Sequence, residues 1–254
     1  VDRVTSEFNN VIVVINSSNA MECGWLDEYD SINGALWCAG AGQTGFAALG
    51  KILSGEVNPS GKLPDTYVYD LLSIPVINNI GDFEYANTAD IANADGSDTH
   101  NAHFLNYSEG IYVGYKFYET AAAEGIIDYD SVVQFPFGYG LSYTTFEQTI
   151  SSIQDDGTTV TLNITVKNTG DTAGKDVVEV YYTPPYTNGG IEKSEVNLVA
   201  YEKTGEIAPG TEESVTLSFD REDMASYDYL NNGCYVLEQG NYNISIRSDS
   251  HTVL

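Results

Sequence analysis

Apolar residues follow two rhythms along this chain, and the rhythm changes near residue 150. Val11-Ile12-Val13-Val14-Ile15 is an unbroken β-branched run. Such runs suit a strand covered on both faces, as in parallel sheets. Ala35-Leu36-Trp37-Cys38-Ala39-Gly40 predicts a second short buried strand that ends at glycine. From Gln43 to Ser54, Phe46, Leu49, Ile52 and Leu53 recur at helical spacing, and Gly55 is placed to cap that helix. Asn58-Pro59-Ser60-Gly61 is turn chemistry. Between Asp82 and His103 the apolar periodicity gives way to Asn, Asp, Ala and Gly, which predicts a long surface loop.

From about Ile150 the period becomes two. Val160, Leu162, Ile164 and Val166 alternate with polar residues, the pattern of a half-buried strand. Lys167-Asn168-Thr169-Gly170 reads as a turn, Val177 to Tyr182 as another strand, and Ala208-Pro209-Gly210 as a loop. Val215-Leu217-Phe219 and Tyr242-Ile244-Ile246 repeat the alternation. The predicted fold is therefore α/β plus all-β. Residues 1–147 form part of an α/β sandwich with a mostly parallel sheet, and residues 148–254 a fibronectin III/immunoglobulin-like β-sandwich. A chain of 254 residues suits two such domains.

Charge narrows the list of partners. Against 10 Lys and Arg stand 37 Asp and Glu, a net charge of −27. Such a surface repels phosphate backbones and anionic lipid, so neither nucleic acid nor a membrane is expected as partner. Neutral ligands such as sugars remain compatible. Cys23, Cys38 and Cys234 are odd in number and lack zinc spacing, so they read as small hydrophobes or bystanders. No apolar run reaches the ~18 residues of a membrane span. Val1 opens without a signal-peptide pattern or an initiator Met, as expected of an excised or processed piece. The compartment stays open, with the extracellular space or a bacterial cell surface favoured over the cytoplasm.

Five segments in order carry a resemblance. They are Trp37-Cys38-Ala39-Gly40-Ala41-Gly42-Gln43-Thr44-Gly45, Gly55-Glu56-Val57-Asn58-Pro59-Ser60-Gly61-Lys62-Leu63-Pro64 and Tyr107-Ser108-Glu109-Gly110-Ile111-Tyr112-Val113-Gly114-Tyr115-Lys116. Phe135-Pro136-Phe137-Gly138-Tyr139-Gly140-Leu141-Ser142-Tyr143-Thr144 is the fourth, and Val166 to Gly170 with Ala208-Pro209-Gly210 the fifth. Together they resemble glycoside hydrolase family 3, in the later part of its (α/β)6 sandwich and its fibronectin type III-like domain. The resemblance implies a retaining β-glycosidase, β-glucosidase-like, acting on a β-linked oligosaccharide or glucoside. It implies no cofactor.

Such hydrolysis needs two carboxylates flanking the scissile bond. In the family the nucleophilic Asp lies in an (α/β)8 barrel domain, and no similar segment occurs here. The acid/base Glu lies in a segment upstream of the first strand seen here. No catalytic residue is therefore expected in this chain, and the chain alone is expected to be inactive. Asn16-Ser17-Ser18-Asn19-Ala20-Met21-Glu22 and Ser248-Asp249-Ser250-His251 are similar to members that carry the barrel after the fibronectin-like domain, so a barrel is expected downstream.

Some residues invite chemistry of their own. Glu109-Gly110 offers a catalytic carboxylate, but its setting matches a downstream family motif, so Glu109 is expected to support structure or pocket. Trp25 and Tyr107 are candidates for stacking on a sugar, whereas Trp37 sits in a strand and reads as core. His100 and His103, near Asp95 and Asp98, are candidate metal ligands. The glycine-rich Gly40–Gly45 segment lacks the Lys-Ser or Lys-Thr pair of a phosphate loop. Asn16, Asn106, Asn163 and Asn243 begin Asn-x-Ser/Thr triplets, which matter only on a eukaryotic secretory route. A non-catalytic carbohydrate-binding or surface-adhesion module is the competing reading, and a structural spacer the third.

Overall fold

Backbone pairing sets the first layer. A computed structural model of the chain describes residues 1–79, 83–87 and 103–254. After a short helix, α1 (Asp2–Glu7), strands β1 (Val11–Ile15) and β2 (Ile32–Trp37) pair in parallel, with Val13 opposite Ala35 and Ile15 opposite Trp37. Their crossover contains a 3₁₀ turn at Gly24–Glu28. Helix α2 (Phe46–Leu53) follows. Gly55 ends it with φ +77°, its N–H reaching the carbonyl of Ile52 at 2.9 Å, a left-handed position that disfavours any side chain.

Two short strands and two helices follow in this part. Strand β3 (Tyr67–Val68) runs antiparallel to β4 (Val133–Phe135), with helices α3 (Tyr115–Ala123) and α4 (Tyr129–Val132) between them in sequence. Val68, Tyr118, Tyr129 and Val133 form one small core, and Cys23, Leu26 and Tyr67 another.

The all-β part contains β5 (Phe146–Asp155), β6 (Thr159–Asn168), β7 (Val177–Thr183), β8 (Asn197–Lys203), β9 (Glu212–Asp220), β10 (Ser226–Asp228), β11 (Cys234–Val236) and β12 (Asn243–Arg247). They form one sheet in the order β5-β6-β9 and another in the order β12-β7-β8, with β10 and β11 as a separate pair. Strand β6 behaves as its period requires. Val160, Leu162, Ile164 and Val166 all point into the core, against Val215, Leu217 and Phe219 of β9 and Val178 and Val180 of β7. Burying each such side chain contributes about 1.5–3 kcal/mol.

Asn168 closes β6 and is fully buried. Its Oδ1 accepts from the Thr144 hydroxyl at 2.7 Å and the Gly170 N–H at 3.1 Å, and its Nδ2 donates to the carbonyls of Thr172 and Ile207. All its polar capacity is matched, which is what allows an amide to sit in a core.

Strand β1 departs from expectation. Its β-branched run predicts cover on both faces, yet Ile12 is 54% and Val14 37% exposed. Phe46 and Leu53 of α2 are exposed as well, and α2 buries no residue fully. Among the described residues the parallel sheet has two strands, and the face carrying Val13 and Ile15 is the one that meets packed neighbours. By contrast β7 is buried on both faces. Val178 and Val180 face the sandwich core, while Glu179 and Tyr181 face the α/β part.

Candidate functional site

Parallel strands bring their carboxyl ends, and the loops that follow, to one edge, and ligands of open α/β sheets bind there. Here that edge carries residues 16–23 after β1 and 38–45 after β2. Two bonds hold the loops together: the Trp37 indole N–H donates to the Ser17 carbonyl at 2.8 Å, and the Cys38 N–H to the Ile15 carbonyl at 2.8 Å. Exposed along this edge are Asn16, Ser18, Asn19, Gln43 and Thr44. Neutral amides and hydroxyls of this kind match sugar hydroxyls and offer nothing cationic to a phosphate.

The crossover turn adds a second polar group. Asp27 Oδ2 accepts from the Gln134 amide at 3.0 Å and from the Tyr69 hydroxyl at 3.4 Å. The Tyr69 phenol is pushed up by burial first and by Asp27 second. Glu22 is engaged locally, accepting the Leu71 N–H at 2.9 Å. Trp25 is half-buried and packs against the Cys23, Leu26 and Tyr67 core, and Trp37 packs against the same cluster.

The other candidates scatter. Tyr107 is 74% exposed on the segment before α3. Glu109 is half-buried in the turn that follows it. His103 is exposed and pairs through its backbone with Glu84. His100, Asp95 and Asp98, and most of the loop expected between Asp82 and His103, lie outside the described residues. Among the described residues no three His, Cys, Asp or Glu side chains are grouped to hold a metal ion. The three cysteines are free, Cys23 buried and Cys234 exposed. No helix among the described residues is long and apolar enough to cross a membrane.

The buried carboxylates were not singled out by sequence, and each is engaged in holding the fold. Glu119 accepts from the Tyr129 hydroxyl at 2.8 Å and the Ser250 hydroxyl at 3.0 Å, and its Oε2 lies 3.0 Å from His251 Nδ1. The His251 ring stacks on Tyr129 with centroids 3.7 Å apart. Glu179 accepts from the Tyr181 hydroxyl at 2.6 Å. Burial pushes its carboxyl up to about 7, against the partial pull of Tyr181 and Lys62. A Cβ on Gly138 would lie 2.5 Å from Glu179 Oε2, and Gly138 holds φ +83°, so only glycine fits there. Asp228 accepts backbone N–H groups of Leu230, Asn231 and Asn232, and Asp249 those of His251 and Thr252. Each of these four buried carboxylates thus accepts hydrogen bonds from its own fold.

Comparison with known proteins finds a match in each part of the chain. Residues 1–115 match the glycosyl hydrolase family 3 C-terminal domain, and residues 176–250 a fibronectin type III-like domain. A β-glucosidase of Ruminococcus albus is 34% identical over 97% of this chain, and 23% of that protein is covered. A crystallised β-glucosidase from Paenibacillus barengoltzii is 31% identical and superposes with a TM-score of 0.83 over 99% of this chain and 25% of its own. β-Glucosidase 3B from Thermotoga neapolitana, solved with glycerol, is 33% identical with a TM-score of 0.78 over 96% of this chain and 30% of its own. The chain thus spans about a quarter of the relatives it matches. With both of its parts matched in order, the chain belongs to glycoside hydrolase family 3, whose C-terminal domain and fibronectin type III-like domain it carries.

Proposed function

We propose that this chain is the non-nucleophilic part of a retaining β-glycosidase of β-glucosidase type. It supplies one wall of the cleft through the loops after β1 and β2, and a β-sandwich that braces that wall. The nucleophile belongs to an (α/β)8 barrel domain outside these residues, and the acid/base to a segment outside them too. The observation that carries this reading is the engagement of every buried carboxylate among the described residues in structural hydrogen bonds. A double displacement needs two carboxylates about 5 Å apart and free to face the sugar.

The uncovered apolar face of β1 and α2 supports the same reading. Val1, Val4 and Phe8 of the segment before β1 are exposed near-neighbours in sequence, and Ile12, Val14, Phe46 and Leu53 extend the apolar surface. A surface of that kind calls for a covering layer. Trp25, in the crossover turn, and the exposed Tyr107 are the proposed aromatic contacts to the substrate.

The test is hydrolysis of an aryl β-glucoside. The chain alone should release nothing, while the same chain within a protein that carries both the barrel and the acid/base segment should turn over. Clear hydrolysis by the isolated chain would overturn the assignment. In the assembled enzyme, Glu109→Gln should leave kcat within a few fold of the parent. A collapse of several orders of magnitude, restored by azide, would make Glu109 the acid/base instead.

A further inference from the structure

A second cleft, of about 290 Å³, lies between α3 and the connection from β7 to β8. It is set where the α/β part meets the sandwich, away from the strand ends described above. Its volume stands at the lower end of small-molecule sites, which begin at about 300 Å³. Tyr112 and Tyr186 line it, with Asn188, Glu124, Glu195 and Lys193.

The connection that forms one wall is pinned. Lys193 is buried, donates to the Pro185 carbonyl and pairs with Glu238. Ser194 and Asn197 bond each other twice, through the hydroxyl at 2.6 Å and the amide at 2.9 Å. The Glu195 N–H donates across the junction to Thr120 Oγ1 at 3.0 Å. A wall tied in this way is preorganised, which lowers the ordering cost of binding.

What the cleft leaves unused is specific. The phenol groups of Tyr112 and Tyr186 and the amide of Asn188 have no hydrogen-bond partner among the described residues. The Tyr112 phenol is pushed up by burial first, then by Glu192 and by the nearby Tyr186. It therefore stays a neutral donor at physiological pH. The only cation of the lining, Lys193, is already neutralised by Glu238.

We propose that this cleft is a second binding site, for a neutral gluco-oligosaccharide. One ring stacks on tyrosine, and its hydroxyls meet the free phenols, the Asn188 amide and the rim carboxylates. An anionic ligand is disfavoured by Glu124, Glu195 and a net charge of −27. Tyrosine supplies apolar area together with a polar tip, which suits the mixed faces of a pyranose. The choice of glucose units rests on the glycosidase reading above, whereas the cleft itself does not.

Calorimetric titration of the chain with cellobiose tests it. Saturable binding is expected, weakened about tenfold by Tyr186→Ala. Asn188→Ala should weaken it less, and Tyr186→Phe should retain most of the affinity through the ring. Tyr186 is 52% exposed, so its truncation does not endanger the fold, whereas Tyr112→Ala needs a parallel melting curve. No saturation with Kd below about 10 mM overturns the site, and so does binding indifferent to Tyr186→Ala. Hydrolysis by the assembled enzyme with no such binding would sink this site alone. Binding at this cleft with no hydrolysis in the assembled enzyme would sink only the glycosidase reading.

Discussion

The two halves of this chain obey the same backbone rules and end in different states. Among the described residues the sandwich gathers thirteen buried apolar residues into one cluster, while the α/β part has separate clusters of four and three. Strand β6 of the sandwich buries all its inward residues, and strand β1 leaves Ile12 and Val14 in solvent although its sequence is the more apolar. Both segments are strands because both are β-branched. Burial differs because it is a property of neighbours: β6 has a partner on each edge and a sheet across from it, whereas among the described residues β1 pairs with β2 alone. The sandwich is therefore a closed unit, and the α/β part is held by small clusters of its own together with bonds to the sandwich.

Those bonds are specific. The Lys62 ammonium donates to the Ser248 carbonyl at 3.0 Å, Leu198 N–H to the Tyr115 hydroxyl at 2.9 Å, and Ser250 N–H to the Phe137 carbonyl at 2.8 Å. Glu119 and Glu179 are buried in the same junction.

The contrast can be broken most sharply in the closed unit. Ile164→Ala removes side-chain volume from a fully buried site and should cost about 2–5 kcal/mol, read as a lower urea midpoint. Glu179 tests the junction through pH. Its folded value of about 7 lies above the ordinary 4.5, so the buried acid favours the protonated form. The stability this gives is fully present below about pH 4.5 and is lost as pH rises through about 7, a change of roughly 3 kcal/mol. Subtracting the urea-derived pH profile of Glu179→Gln from that of the parent should reveal this fall, and a flat difference would refute it.

A smaller loss is expected from Asn58→Ala. Asn58 Oδ1 accepts from the Ser142 hydroxyl and the Tyr143 N–H, and Nδ2 donates to the Ala173 carbonyl, so the side chain ties three segments. Its removal should cost about 1–3 kcal/mol in chemical denaturation. Least of all should follow from Ile12→Thr on the open face of β1, within about 0.5 kcal/mol in the isolated chain. The same substitution should weaken assembly with the barrel-bearing part, measured by co-purification. A large destabilisation of the isolated chain by Ile12→Thr would show that the face is covered after all.

Much of this architecture is written in local pattern. The alternation at Val160–Val166, the β-branched run at Val11–Ile15 and the helical spacing closed by Gly55 each correspond to an observed element. A strand repeats every two residues and a helix every 3.6, so a short stretch carries the information. Gly138 stands in one of the quoted motifs, but that it meets Glu179 is visible only in the fold.

What only the tertiary structure decided concerns pairs far apart in the chain. Glu119 meets Ser250 and His251 across about half the sequence, and Tyr112 faces a cleft shared with Tyr186. No periodicity announces such meetings, because a polar residue looks the same in sequence whether water or another segment satisfies it. The sequence by itself determined which segments become strands and helices and which family they resemble. Packing decided which faces are covered, which carboxylates are buried and where two tyrosines converge, since burial and hydrogen bonding depend on what the folded chain brings alongside.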